Sequence, residues 1–169
     1  ANDFCTNAQV ASLGSTFGST AVASADGSAS CGTSNTTNDV WYRFVAPDTG
    51  IAYFDTCGSS YDTVLSIHSA CTGTTSNQLA CSDDNGGVGP CTAQIRTSYI
   101  ALPVVFGNTY YVRVSGFNSA TGNFQLNIDM PAPANDHCAN AAPMSPAVSY
   151  AGSTRLADTD GAASCGYSA

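Results

Sequence analysis

The chain has 169 residues, contains no lysine and carries a formal net charge of −8 at pH 7. An acidic chain without basic patches binds phosphate backbones and anionic membranes poorly, so neither nucleic acid nor a membrane surface is expected as a partner. The apolar residues, 43% of the chain, are too plentiful for a disordered protein, and their longest runs are too short for membrane insertion.

Short segments of alternating apolar and polar residues follow one another between residues 40 and 129. In the first, Val40, Tyr42 and Phe44 lie on one side of the predicted strand, and Trp41 and Arg43 lie on the other. Further strands are predicted at 51–55, 62–68, 110–115 and 123–128. Because no stretch has a helical period, the pattern predicts an all-β fold, an antiparallel β-sandwich of two sheets.

The beginning of the chain recurs near its end. Residues 1–8, ANDFCTNA, return as ANDHCANA at 134–141, and DGSASCG at 26–32 returns as DGAASCG at 160–166. We therefore divide the chain into a complete repeat at 1–129, a proline-rich linker at 130–133 and the N-terminal quarter of a second repeat at 134–169. The short second copy cannot bury a core of its own, so we expect it to dock on the first copy or on another molecule.

The eight cysteines are even in number and widely spaced, and the chain has only two histidines. This pattern favours disulfides formed in an oxidising compartment over a metal site. The repeat suggests one pair and its twin, whereas the pairing of the remaining four cysteines is not fixed by the sequence. The favoured pairs are Cys5–Cys31, its twin Cys138–Cys165, and, among the remaining four, Cys71–Cys81 and Cys57–Cys91.

Six ordered motifs resemble the bacterial pre-peptidase C-terminal domain family over about residues 2–129. The resemblance implies a jelly-roll-like β-sandwich without catalytic residues, found beside secreted peptidases and in bacterial surface proteins. Some relatives bind calcium or an extracellular polymer such as collagen. The motifs are NDFC at 2–5, VWYRF at 40–44, DTCGSSYDTVL at 55–65, CSDDN at 81–85, GNTYYVRVSG at 107–116 and GNFQL at 122–126.

Oxygen-bearing side chains from three segments form a candidate calcium site: Asp55, Asp62, Asp83, Asp84 and Asn85. Calcium prefers six to eight such oxygens and tolerates flexible loops. The alternative is that these side chains cap turns and accept backbone hydrogen bonds. No other cofactor is expected.

The outward side of the first strand carries Trp41 and Arg43, which are candidates for a sugar- or protein-binding surface or for a cation–π pair. The alternative is an ordinary, partly covered strand surface. His68 ends a predicted strand and is interpreted as a turn-facing polar residue. Neither histidine has the partners of a serine triad, so no catalytic residue is nominated.

These observations predict a non-enzymatic structural or adhesive repeat of an extracellular or bacterial cell-surface protein. Its expected partners are neighbouring repeats or copies of the same protein, and head-to-tail contacts of this kind would build filaments. The alternative is a polymer-binding accessory domain of a secreted hydrolase, with a polysaccharide or a collagen-like polymer as ligand.

Overall fold

The computed structural model describes residues 2–133, 135–159 and 161. The chain divides into two units, Ala1–Met130 and Pro131–Ala169. All nine strands of the described residues lie in the first unit, whereas the described part of the second contains one 3-10 helix, Cys138–Asn140. Across these ranges, no helix is long and apolar enough to cross a membrane.

The strands of the first unit form two sheets, and the described residues contain no α-helix. Gln9–Ala11 pairs in parallel with Val40–Val45, and the other pairs of neighbouring strands in the described residues are antiparallel. The predicted two-sheet, all-β sandwich is confirmed, and the jelly-roll-like connectivity stays a prediction. The five-stranded sheet has the order β1 (Gln9–Ala11), β3 (Val40–Val45), β8 (Thr109–Gly116), β5 (Thr63–His68) and β6 (Gln78–Ser82), and the four-stranded sheet has the order β2 (Gly14–Ser19), β9 (Asn123–Asp129), β4 (Gly50–Asp55) and β7 (Tyr99–Val104).

The core between the sheets is built from alternate residues of each strand, because successive side chains of a strand point to opposite faces. Tyr42 of β3 meets Phe124 of β9 edge to face, with ring centroids 6.1 Å apart. Phe44 meets Phe54 of β4 in the same way at 5.4 Å. The strand alternation read from the sequence therefore identifies the inward side correctly.

The outward side of the five-stranded sheet is also buried. Residues 20–39, which connect β2 to β3, fold over it, and Trp41 is 0% exposed. The Trp41 indole Nε1 donates a 2.5 Å hydrogen bond to the Asp26 carboxylate of that loop, and a side chain at Gly27 would overlap the ring. The predicted binding surface of Trp41 and Arg43 is therefore wrong: Arg43 is exposed, but a loop that alternation does not reveal covers Trp41.

Beneath the same loop, Arg113 of β8 forms an ion pair with Asp39, and both side chains are fully buried. The Arg113 Nε donates to the Asp39 carboxylate at 2.5 Å, and one terminal nitrogen donates to the Ser34 carbonyl at 2.7 Å. The backbone N–H of Gly27 also donates to Asp39, at 3.2 Å. The loop and the sheet are thus held together by a paired, hydrogen-bonded charge.

His68 faces the turn of residues 69–77, as expected, but it is fully buried because that turn closes over it. Its Nδ1 lies 3.1 Å from the Asn77 side-chain oxygen and 3.2 Å from the Thr74 carbonyl. Since both neighbours are acceptors, Nδ1 carries the proton, and Nε2 accepts from the Ser66 hydroxyl at 2.9 Å. Burial lowers the pKa of His68, so the ring is held neutral.

Two of the predicted disulfide pairs are wrong. The structure joins Cys5 to Cys71, with Cα atoms 5.6 Å apart, and Cys31 to Cys81, with Cα atoms 6.1 Å apart. Both N-terminal cysteines therefore cross-link to the region of the β5–β6 hairpin, and neither Cys5–Cys31 nor Cys71–Cys81 forms. The repeat shows which cysteines recur together along the chain, but pairing depends on which lie together in space.

The structure has the favoured pair Cys57–Cys91, with Cα atoms 5.6 Å apart. The predicted pair Cys138–Cys165 was inferred by analogy with Cys5–Cys31. Because Cys5–Cys31 does not form, that analogy no longer supports it. Cys165 lies outside the described residues.

Candidate functional site

Two places in the first unit have side chains arranged for binding. The first is an acidic cluster of Asp62, Asp83 and Asp84, in which one carboxylate oxygen from each residue lies within 4.8 Å of the others. Asp62 immediately precedes β5, and the other two directly follow β6. Because β5 and β6 run antiparallel, the beginning of one strand meets the end of the other.

The acidic cluster combines burial with repulsion. The Oδ1 atoms of Asp62 and Asp83 are buried and have no hydrogen-bond partner among the described residues. Burial, followed by repulsion from Asp84 and Asp62, raises the pKa of Asp83 to about 6. Burial and Asp84 also raise the pKa of Asp62, against the attraction of Arg96. Hard, unpaired oxygens of this kind fit the ligand preference of calcium.

The other two residues of the predicted calcium set lie elsewhere. Asp55 ends β4 in the other sheet, and its Oδ1 accepts from the Cys57 backbone N–H at 2.9 Å. Asn85 is 3% exposed, and its amide nitrogen donates to the Gln94 carbonyl at 2.7 Å while its oxygen accepts from Gly87 N–H at 2.7 Å. These two side chains fill the turn-capping role that was the alternative interpretation.

The second place is the outward side of the four-stranded sheet, which we call the outer face. Its strand registers set polar and aromatic side chains beside one another, opposite the inward residues of the core. The residues of the outer face are Ser15, Phe17 and Ser19 of β2; Asn123, Gln125, Asn127 and Asp129 of β9; Ile51, Tyr53 and Asp55 of β4; and Tyr99, Ala101 and Pro103 of β7.

A chain of side-chain hydrogen bonds crosses three strands of the outer face. The Ser15 hydroxyl and the Gln125 amide nitrogen both donate to the Asn127 side-chain oxygen, at 2.7 and 2.9 Å. The Asn127 amide nitrogen donates in turn to the Asp55 carboxylate at 2.7 Å. We call these four residues the polar ladder; their mutual hydrogen bonds fix the orientation of each amide and carboxylate before any ligand arrives.

Aromatic side chains flank the polar ladder on both sides. On the β4–β7 side, the rings of Tyr53 and Tyr99 stack with centroids 6.1 Å apart and an interplanar angle of 10°. On the β2 side, Phe17 is 74% exposed. The two tyrosines are half-buried and the phenylalanine is exposed; accessible aromatic rings beside fixed polar groups are typical of binding surfaces.

The sequence analysis missed the outer face. The alternation that marked Phe124, Leu126 and Ile128 as core placed Asn123, Gln125 and Asn127 on the other side. That the Asn127 amide would meet Ser15 and Asp55 depends on strand order, which the sequence did not provide.

The model of a T9SS-associated family described as galactose binding domain-like matches residues 1–128. The chain belongs to this family. The match covers nearly the same residues as the resemblance to pre-peptidase C-terminal domains drawn from the motifs. For this galactose binding domain-like chain, the three disulfides and the family together point to an extracellular or cell-envelope location.

Several solved structures resemble the galactose binding domain-like chain at low identity. The pre-peptidase C-terminal domain of a Bacillus anthracis collagenase is 13% identical, with a TM-score of 0.47 over 72% of this chain and 94% of that one. The Aeromonas hydrophila periplasmic inhibitor of g-type lysozyme, PliG, is 10% identical, with a TM-score of 0.41 over 72% and 96%. The surface-associated copper-binding protein CorA of Methylomicrobium album BG8 is 9% identical, with a TM-score of 0.45 over 73% and 98%. No curated protein matches significantly.

Proposed function

We propose that the first unit is a non-catalytic adhesive module that binds an extracellular polymer through the outer face. The observation that carries the proposal is the polar ladder, in which hydroxyl, amide and carboxylate groups of Ser15, Asn127 and Asp55 are fixed across three strands between aromatic side chains. A flat face with fixed polar groups suits the side of a long chain better than a small, enclosed ligand.

The location of the one serine–histidine pair among the described contacts supports a non-catalytic function. The Ser66 hydroxyl contacts the His68 imidazole, as a nucleophile contacts its base, but both residues are 0% exposed. A nucleophile must reach its substrate. The bond to Ser66 therefore orients the buried His68 ring, whose Nδ1 contacts Thr74 and Asn77 and so holds the 69–77 loop on the sheet.

Retention on insoluble polymers tests the proposal. The purified, oxidised protein is incubated with cellulose, chitin, alginate beads and collagen, and the bound fraction is measured. We expect retention on at least one polymer, and the double variant Phe17→Ala/Tyr53→Ala should lose most of it. Phe4→Ala is the matched control, because Phe4 is 47% exposed and immediately precedes the 3-10 helix Cys5–Asn7, which packs on β3 of the other sheet. Wild-type protein that stays unbound on every polymer would refute the function.

Calcium binding at Asp62, Asp83 and Asp84 is part of the same proposal. The support is the pair of buried carboxylate oxygens without hydrogen-bond partners among the described residues. An ion there would join the start of β5 to the end of β6 and neutralise their repulsion. We assign it a role in stabilising these loops, because the cluster lies on strands of the five-stranded sheet rather than on the outer face.

Head-to-tail assembly is the second proposed function, and the local structure of the tail favours it. The 3-10 helix Cys138–Asn140 matches Cys5–Asn7 of the first copy. The Asp136 carboxylate accepts from the Asp158 backbone N–H at 2.9 Å, as the Asp3 carboxylate accepts from that of Ser24.

In the first copy, the segment equivalent to this tail supplies β1 and β2, which are edge strands of the two sheets. A second such segment would offer edge strands to another sandwich. Light scattering and negative-stain electron microscopy test this: concentration-dependent chains are expected, and a monomer at every concentration would end this candidate.

A further inference from the structure

The outer face offers an extended row of contacts rather than a single pocket. Strand register places Tyr99 opposite Asp55, Asp55 opposite Asn127 and Asn127 opposite Ser15, so one row runs across all four strands. Three strand spacings make this row ~14 Å long. This is longer than one sugar ring, and the ligand that fills it must be a chain lying across the strands.

The groups in the row can recognise hydroxyls. An amide or a serine hydroxyl both donates and accepts, so Ser15, Asn127 and the neighbouring Gln125 match a ligand whose own groups do both. Asp55 is only 7% exposed, and its carboxylate holds the Asn127 amide in place. A sugar ring has hydroxyls at its rim and C–H groups on its flat faces. The rings of Tyr53 and Phe17 supply apolar surfaces for those faces beside the polar ladder.

The charge of the outer face selects among polysaccharides. Its charged residues are Asp55 and Asp129, and both are acidic. Of the three arginines in the first unit, Arg113 is buried beneath the loop of the other sheet, Arg43 projects from β3 of that sheet, and Arg96 attracts Asp62 of the acidic cluster. Uronic or sulfated polymers would meet carboxylates without a counter-charge, in a protein whose net charge is already −8.

We infer that the ligand is a neutral polysaccharide whose chain lies across the strands, from Phe17 and Ser15 to the stacked tyrosines. This inference rests on the proposed function and names its ligand class. A collagen-like triple helix keeps its glycines at the axis and presents mainly proline and hydroxyproline rings at its surface. It would therefore offer the amides of the polar ladder fewer hydroxyls than a polysaccharide does.

Affinity electrophoresis tests the inference with soluble polymers cast into native gels. The probes are neutral xylan, galactomannan and mixed-linkage β-glucan, anionic alginate and polygalacturonate, and solubilised collagen. We expect at least one neutral polymer to retard the wild-type protein, and Gln125→Ala and Tyr53→Ala each to reduce the retardation five- to tenfold. Phe4→Ala should migrate as wild type, and the far-ultraviolet circular dichroism of every variant confirms that it is folded.

The remaining outcomes separate the inference from the proposed function. Retardation by an anionic polysaccharide or by collagen alone, lost in the same two variants, would overturn the neutral ligand while leaving the outer face as the binding site. Retardation by a neutral polymer that survives both variants would overturn the outer face as its site. No retardation by any polymer, together with no retention on the insoluble panel, would overturn both.

Discussion

The two sheets of the first unit have similar inward sides and very different outward sides. On the five-stranded sheet, the loop of residues 20–39 covers Trp41 and seals the Arg113–Asp39 ion pair away from water. On the four-stranded sheet, most outward residues stay at least partly accessible: Phe17 is 74% exposed, although Asp55 is only 7% exposed. Polar side chains on a strand can therefore be structural or available for binding, and the deciding factor is whether a long loop folds back over that side of the sheet.

The largest loss of stability is expected when the ion pair on the covered side of the five-stranded sheet is broken. Arg113→Ala leaves the Asp39 carboxylate buried without its partner, which should lower the free energy of unfolding by about 3–5 kcal/mol. Urea denaturation followed by tryptophan fluorescence measures this, because Trp41 lies in the same covered layer. Arg43→Ala, which removes an exposed arginine from the same sheet, is the control and should change stability by less than about 0.5 kcal/mol. Equal effects of the two variants would mean that the covered side is not sealed.

The cross-link that holds the covering loop should matter nearly as much. Cys31 lies in that loop and Cys81 in β6, and their disulfide closes a separation of 50 residues. Replacing both by alanine should cost about 2–4 kcal/mol, chiefly by freeing the unfolded chain. Thermal unfolding of this double variant measures the loss. A peptide map under non-reducing conditions should show Cys31 joined to Cys81; a Cys5–Cys31 peptide would contradict the structure.

On the outer face, substitutions should weaken polymer binding strongly while lowering stability only a little. Asn127→Ala removes the centre of the polar ladder and should cost about 1 kcal/mol of stability, since each hydrogen bond contributes modestly in net terms. Gln125→Ala, which leaves the bonds of Asn127 to Ser15 and Asp55 intact, should cost less than about 0.5 kcal/mol. Both should weaken polymer binding at least fivefold. If Asn127→Ala destabilised the fold as severely as Arg113→Ala, the outer face would be a structural layer like its counterpart.

The smallest effect concerns the acidic cluster, which lies outside both outward faces. The pKa of Asp83 is raised to about 6 in the folded state, from an ordinary value of 3.8, so the folded chain binds a proton more tightly than the unfolded chain. Without calcium, this group's contribution to stability should therefore rise as pH falls from 7 through 6 towards 4. The gain should stay below about 1 kcal/mol, because the group is partly solvated.

Asp83→Asn should flatten this pH dependence, and calcium should raise the midpoint of thermal unfolding at pH 7 in the wild type more than in the variant. Differential scanning calorimetry at pH 5 and pH 7, with calcium and with chelator, measures both. If calcium leaves the unfolding midpoint of the wild type unchanged, the proposal that the cluster binds calcium is contradicted.

The sequence predicts those parts of this molecule that depend on neighbours along the chain. Alternation in 40–44 and 123–128 correctly separated core from outward residues. Of the five residues in the predicted calcium set, three lie together in the structure: Asp62, Asp83 and Asp84. It did not predict what covers Trp41, nor that Cys5 and Cys31 bond to partners 66 and 50 residues away. Those features depend on where long loops lie in space, which neither strand period nor repeat spacing encodes.

The most direct test of the outer face as the binding surface is a nuclear magnetic resonance titration of the isotope-labelled protein with an oligosaccharide of the polymer that it retains. The account predicts that amide resonances of β2, β9 and β4, including Ser15, Gln125 and Asn127, shift with saturation. Those of Trp41 and Arg113 should stay in place. Saturable shifts confined to the loops or to the five-stranded sheet would contradict it and place binding elsewhere.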